Sequence, residues 1–352
     1  MRWLVGFVSL LLALGAGCEN LDECEERGLD CNDHNECTSD GCAILWCVYS
    51  PVEDGTSCVD GVCISGRCVE FDGIWPCTEG GIRHAIAVGG GPHTFDCSSR
   101  TPVVTQAEIE IDNDVILDGE GNLIVDASGG HRVFSVAGGV TAELRGVTVT
   151  GGAYEPGSGG GIRIDWTWED QGGTLTLIDS TVSGNTARNG GGIESFGTLT
   201  LINSTVSGNT ASYQAGGILN SNGTLTLISS TVSGNTADSA VDGIANSGAA
   251  MLTSTLVDGD CEGDITSNGY NIESPGNTCG FDETKGDKLD VTETQLNLGP
   301  LADNGGPTMT HALGAGSVAI DVIPEAECEV DTDQRGFPRD SMCDVGAFEV
   351  QL

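Results

Sequence analysis

The stretch IDNDVILDGEG brings Asp112, Asp114, Asp118 and Glu120 close together in the chain. Carboxylate oxygens so clustered are the ligands calcium takes, and a held calcium ion can neutralise an acidic substrate and the negative charge that develops on it. Asp112 and Asp114 are two positions apart and are expected to share one strand face, with Asp118 as a third candidate metal ligand. A proton-abstracting partner is missing: no lysine lies nearby and no arginine falls in the matching register of later segments. Asp and Asn also belong at strand ends and turns, and that structural role is the main expectation for these residues.

A second constellation is AYEPGSGGGIRIDWTWEDQGG, Ala153 to Gly173. It is the densest aromatic patch in a chain with only 5% aromatic residues. Tyr154, Arg163, Asp165, Trp166, Trp168 and Glu169 are its candidate ligand-binding residues. Trp166 and Trp168 alternate and so face one side, and flat rings suit a sugar or peptide. The competing expectation is a local cluster of rings covering the flank of the fold. A third group, Asp331, Asp333, Arg335, Arg339 and Asp344, alternates in charge and reads as a catalytic pair or an ion-paired cap. No nucleotide-binding, serine-hydrolase or zinc-protease motif occurs, and the five histidines have no ligand spacing.

These residues must be held by the rest of 352 residues with a formal net charge of −39. Lys285 and Lys288 are the whole lysine content, so no basic face exists for nucleic acid or an anionic membrane surface. No cofactor is expected, and calcium is the one ion the carboxylates would take. Arg2, the apolar run Leu4 to Leu14 and the small residues Gly15 to Gly17 read as an export signal ending at Cys18. No later segment is apolar enough to span a bilayer. Fifteen cysteines would leave one unpaired in an oxidising compartment. Setting Cys18 aside as a lipid attachment site leaves an even set. Eight cysteines crowd between Cys24 and Cys68 among few apolar residues, so cross-links must replace a core there. Cys77 with Cys97, Cys261 with Cys279 and Cys328 with Cys343 are the expected pairs outside that module, the last two because each closes a short loop.

The body is a repeat. GTLTLIDSTVSGNTA, GTLTLINSTVSGNTA and GTLTLISSTVSGNTA begin at Gly173, Gly197 and Gly223, and a degenerate copy starts at Ala249. Leu175 and Leu177 alternate, Ile178 breaks the alternation at a corner, and Gly184-Asn185 make a turn. Columns are expected: Leu177, Leu201, Leu227 and Met251; Val182, Val206, Val232 and Leu256; and Asn185, Asn209 and Asn235, whose amides can bond from rung to rung. The serines and threonines of STVSGNT are expected to face solvent or cap turns. Ile82, Ala85 and Ile86 share one face of a short helix after Thr78, placed to shield the first strand edge.

A period of 24 to 26 residues with three short strands describes an all-β, right-handed parallel β-helix. GTLTLINSTVSGNTA and NGGGIE resemble the repeats of polymorphic outer-membrane proteins and other pectate-lyase-like β-helices. LGPLADNGGPTMTHALGAGSVAIDV, DTDQRGFPRD and CDVGAFE are similar to the terminal module of a widespread surface β-helix family. In that module DQRG is a structural signature, which implies a helix-closing role. The run from Cys31 to Glu70 resembles Dickkopf-type cysteine-rich modules, and the leader resembles a bacterial lipoprotein signal. The organisation expected is a signal over 1–17, a disulfide module over 18–70, a cap over 71–100, coils over 101–265 and terminal coils with a capping module over 266–352. The lipidation-like Cys18, the disulfide module and the repeat-dominated body point to an exported, non-catalytic protein of the bacterial cell envelope, an outer-membrane lipoprotein or a secreted form, for adhesion, matrix contact or envelope structure. Its partners would be an extracellular glycan or another surface protein, with membrane contact only through an N-terminal lipid. The alternative is a calcium-assisted polysaccharide lyase or glycoside hydrolase acting on an acidic glycan.

Overall fold

The alternation in GTLTLI becomes the strand Thr174–Ile178, with Leu175 and Leu177 buried and the threonines half-exposed. Asp179 follows in the left-handed region at φ 50°, and the chain turns a corner into Thr181–Ser183. The same corner recurs at Asn203, Ser229 and Ser254. Asp, Asn and Ser in this column fit, because short polar side chains are among the non-glycine residues that accept such a backbone.

The computed structural model describes residues 34–351 apart from 37, 43–46, 53–56, 59–60, 65, 71–73, 99, 101 and 168–171. They fall into two units divided between 72 and 73. In the first, Thr38–Cys42 pairs antiparallel with Cys47–Pro51, and Ser57–Cys58, Gly61–Ile64 and Arg67–Glu70 form a three-stranded antiparallel sheet. Cys47, Cys63 and Cys68 are disulfide-bonded. Cys18, the leader, and Cys24, Cys31 and Cys37 lie outside the described residues.

The second unit is a right-handed parallel β-helix, the hand that parallel crossovers take. Its ladders are named here for their inward residues. The leucine ladder stacks Thr174–Ile178, Thr198–Ile202, Thr224–Ile228 and Ala249–Thr253. The valine ladder stacks Thr181–Ser183, Thr205–Ser207, Thr231–Ser233 and Leu256–Asp258. The isoleucine ladder runs from Ile109–Ile111 through Ile162–Ile164, Ile193–Ser195 and Ile218–Asn220 to Cys261–Glu262. A fourth, short alanine ladder joins the expected three: Ala153–Ser158, Thr186–Asn189, Thr210–Gln214 and Thr236–Ala237. It exists because Ala187 and Ala211 are small enough to bury beside the asparagine turn.

Asn185, Asn209 and Asn235 are buried and bond from coil to coil. Asn185 Nδ2 donates to Asn209 Oδ1 at 3.0 Å, and Asn209 Nδ2 donates to Asn235 Oδ1 at 2.9 Å. Ser180, Ser204 and Ser230 make a second column, in which each backbone N–H donates to the next Oγ at 3.2 Å. In the degenerate coil the register differs from expectation by one residue. Leu252 lies beside Leu227 and Val257 beside Val232, while Met251 pairs with Thr226 and is exposed, and Leu256 pairs with Thr231. Gly248 sets this register: a Cβ there would stand 2.1 Å from the Gly223 carbonyl oxygen, so only glycine fits beneath Gly223.

The helix α1, Glu79–Val88, is capped by the Thr78 side chain and buries Ile82, Ala85 and Ile86. Arg83 donates to the carbonyls of Ala107 and Glu108, which ties α1 to the chain entering Ile109–Ile111. Cys77–Cys97, Cys261–Cys279 and Cys328–Cys343 are disulfides.

The largest departure concerns STVSGNT itself. Thr181, Thr205, Ser183 and Ser207 are buried, not solvent-facing, because the C-terminal module lies along the outside of the valine ladder. Thr181 Oγ1 donates to the Met309 carbonyl at 2.8 Å, and Ser207 Oγ lies 2.8 Å from His311 Nε2. The Ala347 N–H donates to Thr231 Oγ1 at 3.0 Å. Arg100 meets Asp303 at the first coil, and the Gly346 N–H reaches the Ser254 carbonyl near the last. The module is therefore a strap along the coils as well as a cover for their end. At that end Leu256 and Ile272 pack with Leu296, Ile323 and Phe348.

Candidate ligand-binding site

The insertion departs from the isoleucine ladder at Asp165 and returns through an antiparallel bridge between Trp166 and Gly172. Trp166 is 47% exposed and overhangs a cleft of about 590 Å³ at the corner between the isoleucine and leucine ladders. The cleft's inner side is made by Gly172, Gly197 and Gly223. A Cβ on Gly197 would lie 2.0 Å from the Gly173 carbonyl oxygen, so backbone contact between coils excludes side chains there. Phe196 adds a second ring, and Thr198, Asn222 and Thr224 add hydroxyl and amide groups. Aromatic faces over a flat backbone surface, with hydrogen-bonding groups along it, are the chemistry that holds a pyranose ring. Trp168 and Glu169 lie outside the described residues.

Behind Phe196 is an ion-paired cluster. Arg163 stands 5.3 Å over the Phe196 ring, with Nε 2.7 Å from Asp165 Oδ1 and 4.0 Å from Glu194 Oε2. The Asp165 contact lacks hydrogen-bond alignment. Glu194 is buried, and burial raises its pKa against the opposing pull of Arg163, Ser158 and Arg132. Arg132 is buried too, paired with Glu108 at 2.6 Å, donating to the carbonyls of Ser158 and Gly159, and stacked by Tyr154 at 4.3 Å. Tyr154, Arg163, Asp165 and Trp166 are thus drawn into one region, with Tyr154 serving Arg132 and Trp166 serving the cleft. Sequence reasoning missed Glu194, Arg132 and Phe196. A signal existed for Glu194: it follows the GGI turn where later coils place Leu219 and Ala245.

The carboxylates of the first constellation are arranged differently from expectation. Asp112 and Asp114 sit in the turn between Ile109–Ile111 and Val115–Asp126 and share no strand face. Asp114 Oδ1 accepts from the Thr141 N–H at 2.7 Å, and Asp118 Oδ1 accepts from the Glu120 N–H at 3.0 Å, so both brace turns. Asp165 holds the corner position equivalent to Asp112 two coils on, about 10 Å away, with Ala137 between. Among the described residues no three His, Cys, Asp or Glu side chains gather as a metal site.

The third constellation is an ionic core. Asp333 accepts from the N–H groups of Arg335, Phe337 and Glu349, and Glu349 pairs with Arg339 at 3.1 Å. Burial raises the Asp344 and Glu349 carboxyls and lowers Arg339. Asp333, Arg335, Arg339, Asp344 and Glu349 all have protein partners, which suits a structural role, whereas Asp331 is exposed and stands outside this core.

One carboxyl is poorly satisfied. Asp179, at the corner facing the strap, has its Oδ1 buried without a hydrogen-bond partner. Burial pushes its pKa up from an ordinary 3.8 to about 6, with Asp333 and Asp118 adding repulsion while Asn203 and Arg339 oppose it. A carboxyl raised by folding stabilises the fold while protonated, and that contribution is lost as pH rises through about 6. Asp179→Asn, already the residue type at 203, is therefore expected to stabilise the protein at pH ~7.5 by about 1–2 kcal/mol after solvent screening. Thermal melts at pH ~7.5 and ~4 check this, since the gain should vanish at the lower pH. An equal effect at both would rule out ionisation as its cause.

No family model matches the chain, and no curated protein matches it. Among solved structures it is similar to the crystal structure of pectate lyase Pel9A, at 14% identity over 76% of this chain and 90% of that one, with a TM-score of 0.36.

Proposed function

We propose that the chain is a non-catalytic surface β-helix that adheres by holding an extracellular glycan in the cleft beneath Trp166. The observation that carries this is the half-exposed indole over a floor where glycine is sterically required. A ring of that size is normally buried, and here it is half-exposed beside hydroxyl and amide groups. Export by the leader and anchoring through a lipid on Cys18 would place the cleft outside the cell. Asp114 and Asp118 are engaged by turn N–H groups, which speaks for binding without turnover.

A glycan array probed with and without calcium tests this. Trp166→Ala should weaken each retained glycan about tenfold, the loss expected for removing one stacking platform. Unchanged retention would remove the cleft from consideration. Calcium-dependent release of unsaturated sugars would replace binding with lyase chemistry.

A further inference from the structure

We propose that Arg188 and Tyr213, on the alanine ladder, form a subsite for an anionic sugar residue, a pyranose bearing a carboxylate or sulfate. The charge inventory points there. In a chain of net charge −39 cations are scarce, and nearly all those among the described residues of the β-helix unit are engaged. Arg83, Arg100, Arg132, Arg145, Arg163, Arg335 and Arg339 each lie within ion-pair distance of a carboxylate. Lys285 and Lys288 donate to the carbonyls of Ser267 and Val318. Among the described residues of the β-helix unit, Arg188 is the one arginine with no carboxylate partner, and it is exposed. Its contact is the Tyr213 ring, with the guanidinium 5.5 Å from the centroid.

The backbone is shaped for this contact. Between Thr186–Asn189 and Thr210–Gln214, Ala187 pairs with Ala211 and Asn189 with Gln214. Arg188 is thus opposite two residues, Ser212 and Tyr213. That is a β-bulge, a device that re-aims a side chain, and here Tyr213 is 51% exposed. The nearby Glu155 accepts from Ser212 Oγ at 2.7 Å and forms no ion pair with Arg188. A guanidinium kept free among so many carboxylates, and held by a ring, presents its fork of donors to an outside anion. The ring supplies a platform for the sugar's apolar face, and the fork bonds the carboxylate or sulfate. The site borders the isoleucine ladder on the side away from the Trp166 cleft. It shares with the proposed function only the ligand class, glycan.

The test titrates the full chain by isothermal calorimetry with a hyaluronan hexasaccharide, a chondroitin sulfate hexasaccharide and a neutral chitin hexasaccharide. Arg188→Gln and Tyr213→Ala should each weaken the acidic probes at least tenfold, and Arg188→Gln should spare the neutral one. Retention of both acidic probes assigns the carboxylate, and retention of chondroitin sulfate alone assigns the sulfate. Circular dichroism of each variant checks the fold, and exposed positions should leave it unchanged. The subsite is refuted if the parent binds neither acidic probe, if Arg188→Gln binds both like the parent, or if it weakens the neutral probe equally. Trp166→Ala in the same titrations separates the proposals: the acidic probes' dependence on Arg188 should survive it.

Discussion

Asn209→Ala is expected to destabilise the β-helix by about 3–5 kcal/mol, seen as a lowered chemical-denaturation midpoint with an unchanged slope. Asn209 is the middle member of its column, so its amide serves the coils on both sides. Its Oδ1 accepts from both the backbone N–H and Nδ2 of Asn185, and its Nδ2 donates to Asn235 Oδ1 and the Val182 carbonyl. Truncation leaves the Asn185 N–H and the Val182 carbonyl without these partners where water cannot replace them, and each orphan costs about 1–3 kcal/mol. Asn235→Ala removes the same kind of group from the end of the column and should cost less, because its Nδ2 donates to the Val206 carbonyl but to no further asparagine amide. Equal losses at 209 and 235 would mean that each amide acts alone and the column adds nothing.

Gln334→Leu is expected to loosen the strap while leaving the coils stacked. The Gln334 side chain is buried between the module and two coils. Its Nε2 donates to Thr181 Oγ1 at 2.9 Å and Thr308 Oγ1 at 2.7 Å, and its Oε1 accepts from Thr205 Oγ1 at 2.6 Å. Leucine has similar volume but meets none of these groups, so a loss of about 2–4 kcal/mol follows from the Thr205 hydroxyl left unpaired in a dry interface, while Thr181 and Thr308 lose a donor and keep their carbonyl partners. Limited proteolysis should show faster cleavage within 298–351 and a resistant core ending before it. Cleavage spread evenly along the chain would instead mean that strap and coils open as one unit.

The coils were legible in the sequence because their determinants are local. Leu175 and Leu177 alternate, Gly184-Asn185 turns, and the 24- to 26-residue period forces like residues to stack. The asparagine column followed from that period alone. The degenerate coil slipped by one because Ala249 resembles its neighbours less than the glycine before it, and the requirement for Gly248 arises only from backbone contact with Gly223. Thr205 and Ser207 show a deeper limit. An outward threonine looks the same whether water or another segment covers it, and the partner of Thr205 is 129 residues away. The cleft was half legible: the insertion drew attention to Trp166, but Phe196 belongs to a corner that reads like any other turn.

The strap has a consequence for how this chain can evolve. A free solenoid tolerates duplication or loss of one repeat, since each coil touches only its neighbours. Here Thr181, Thr205 and Thr231, on three successive coils, meet Met309, Gln334 and Ala347 of a module whose own fold fixes their spacing. One extra coil would displace later contacts by about 4.8 Å, further than a hydrogen bond can stretch. The module acts as a gauge of length, so copy number in the strapped segment is held constant by geometry, and growth is confined to insertions at the corners.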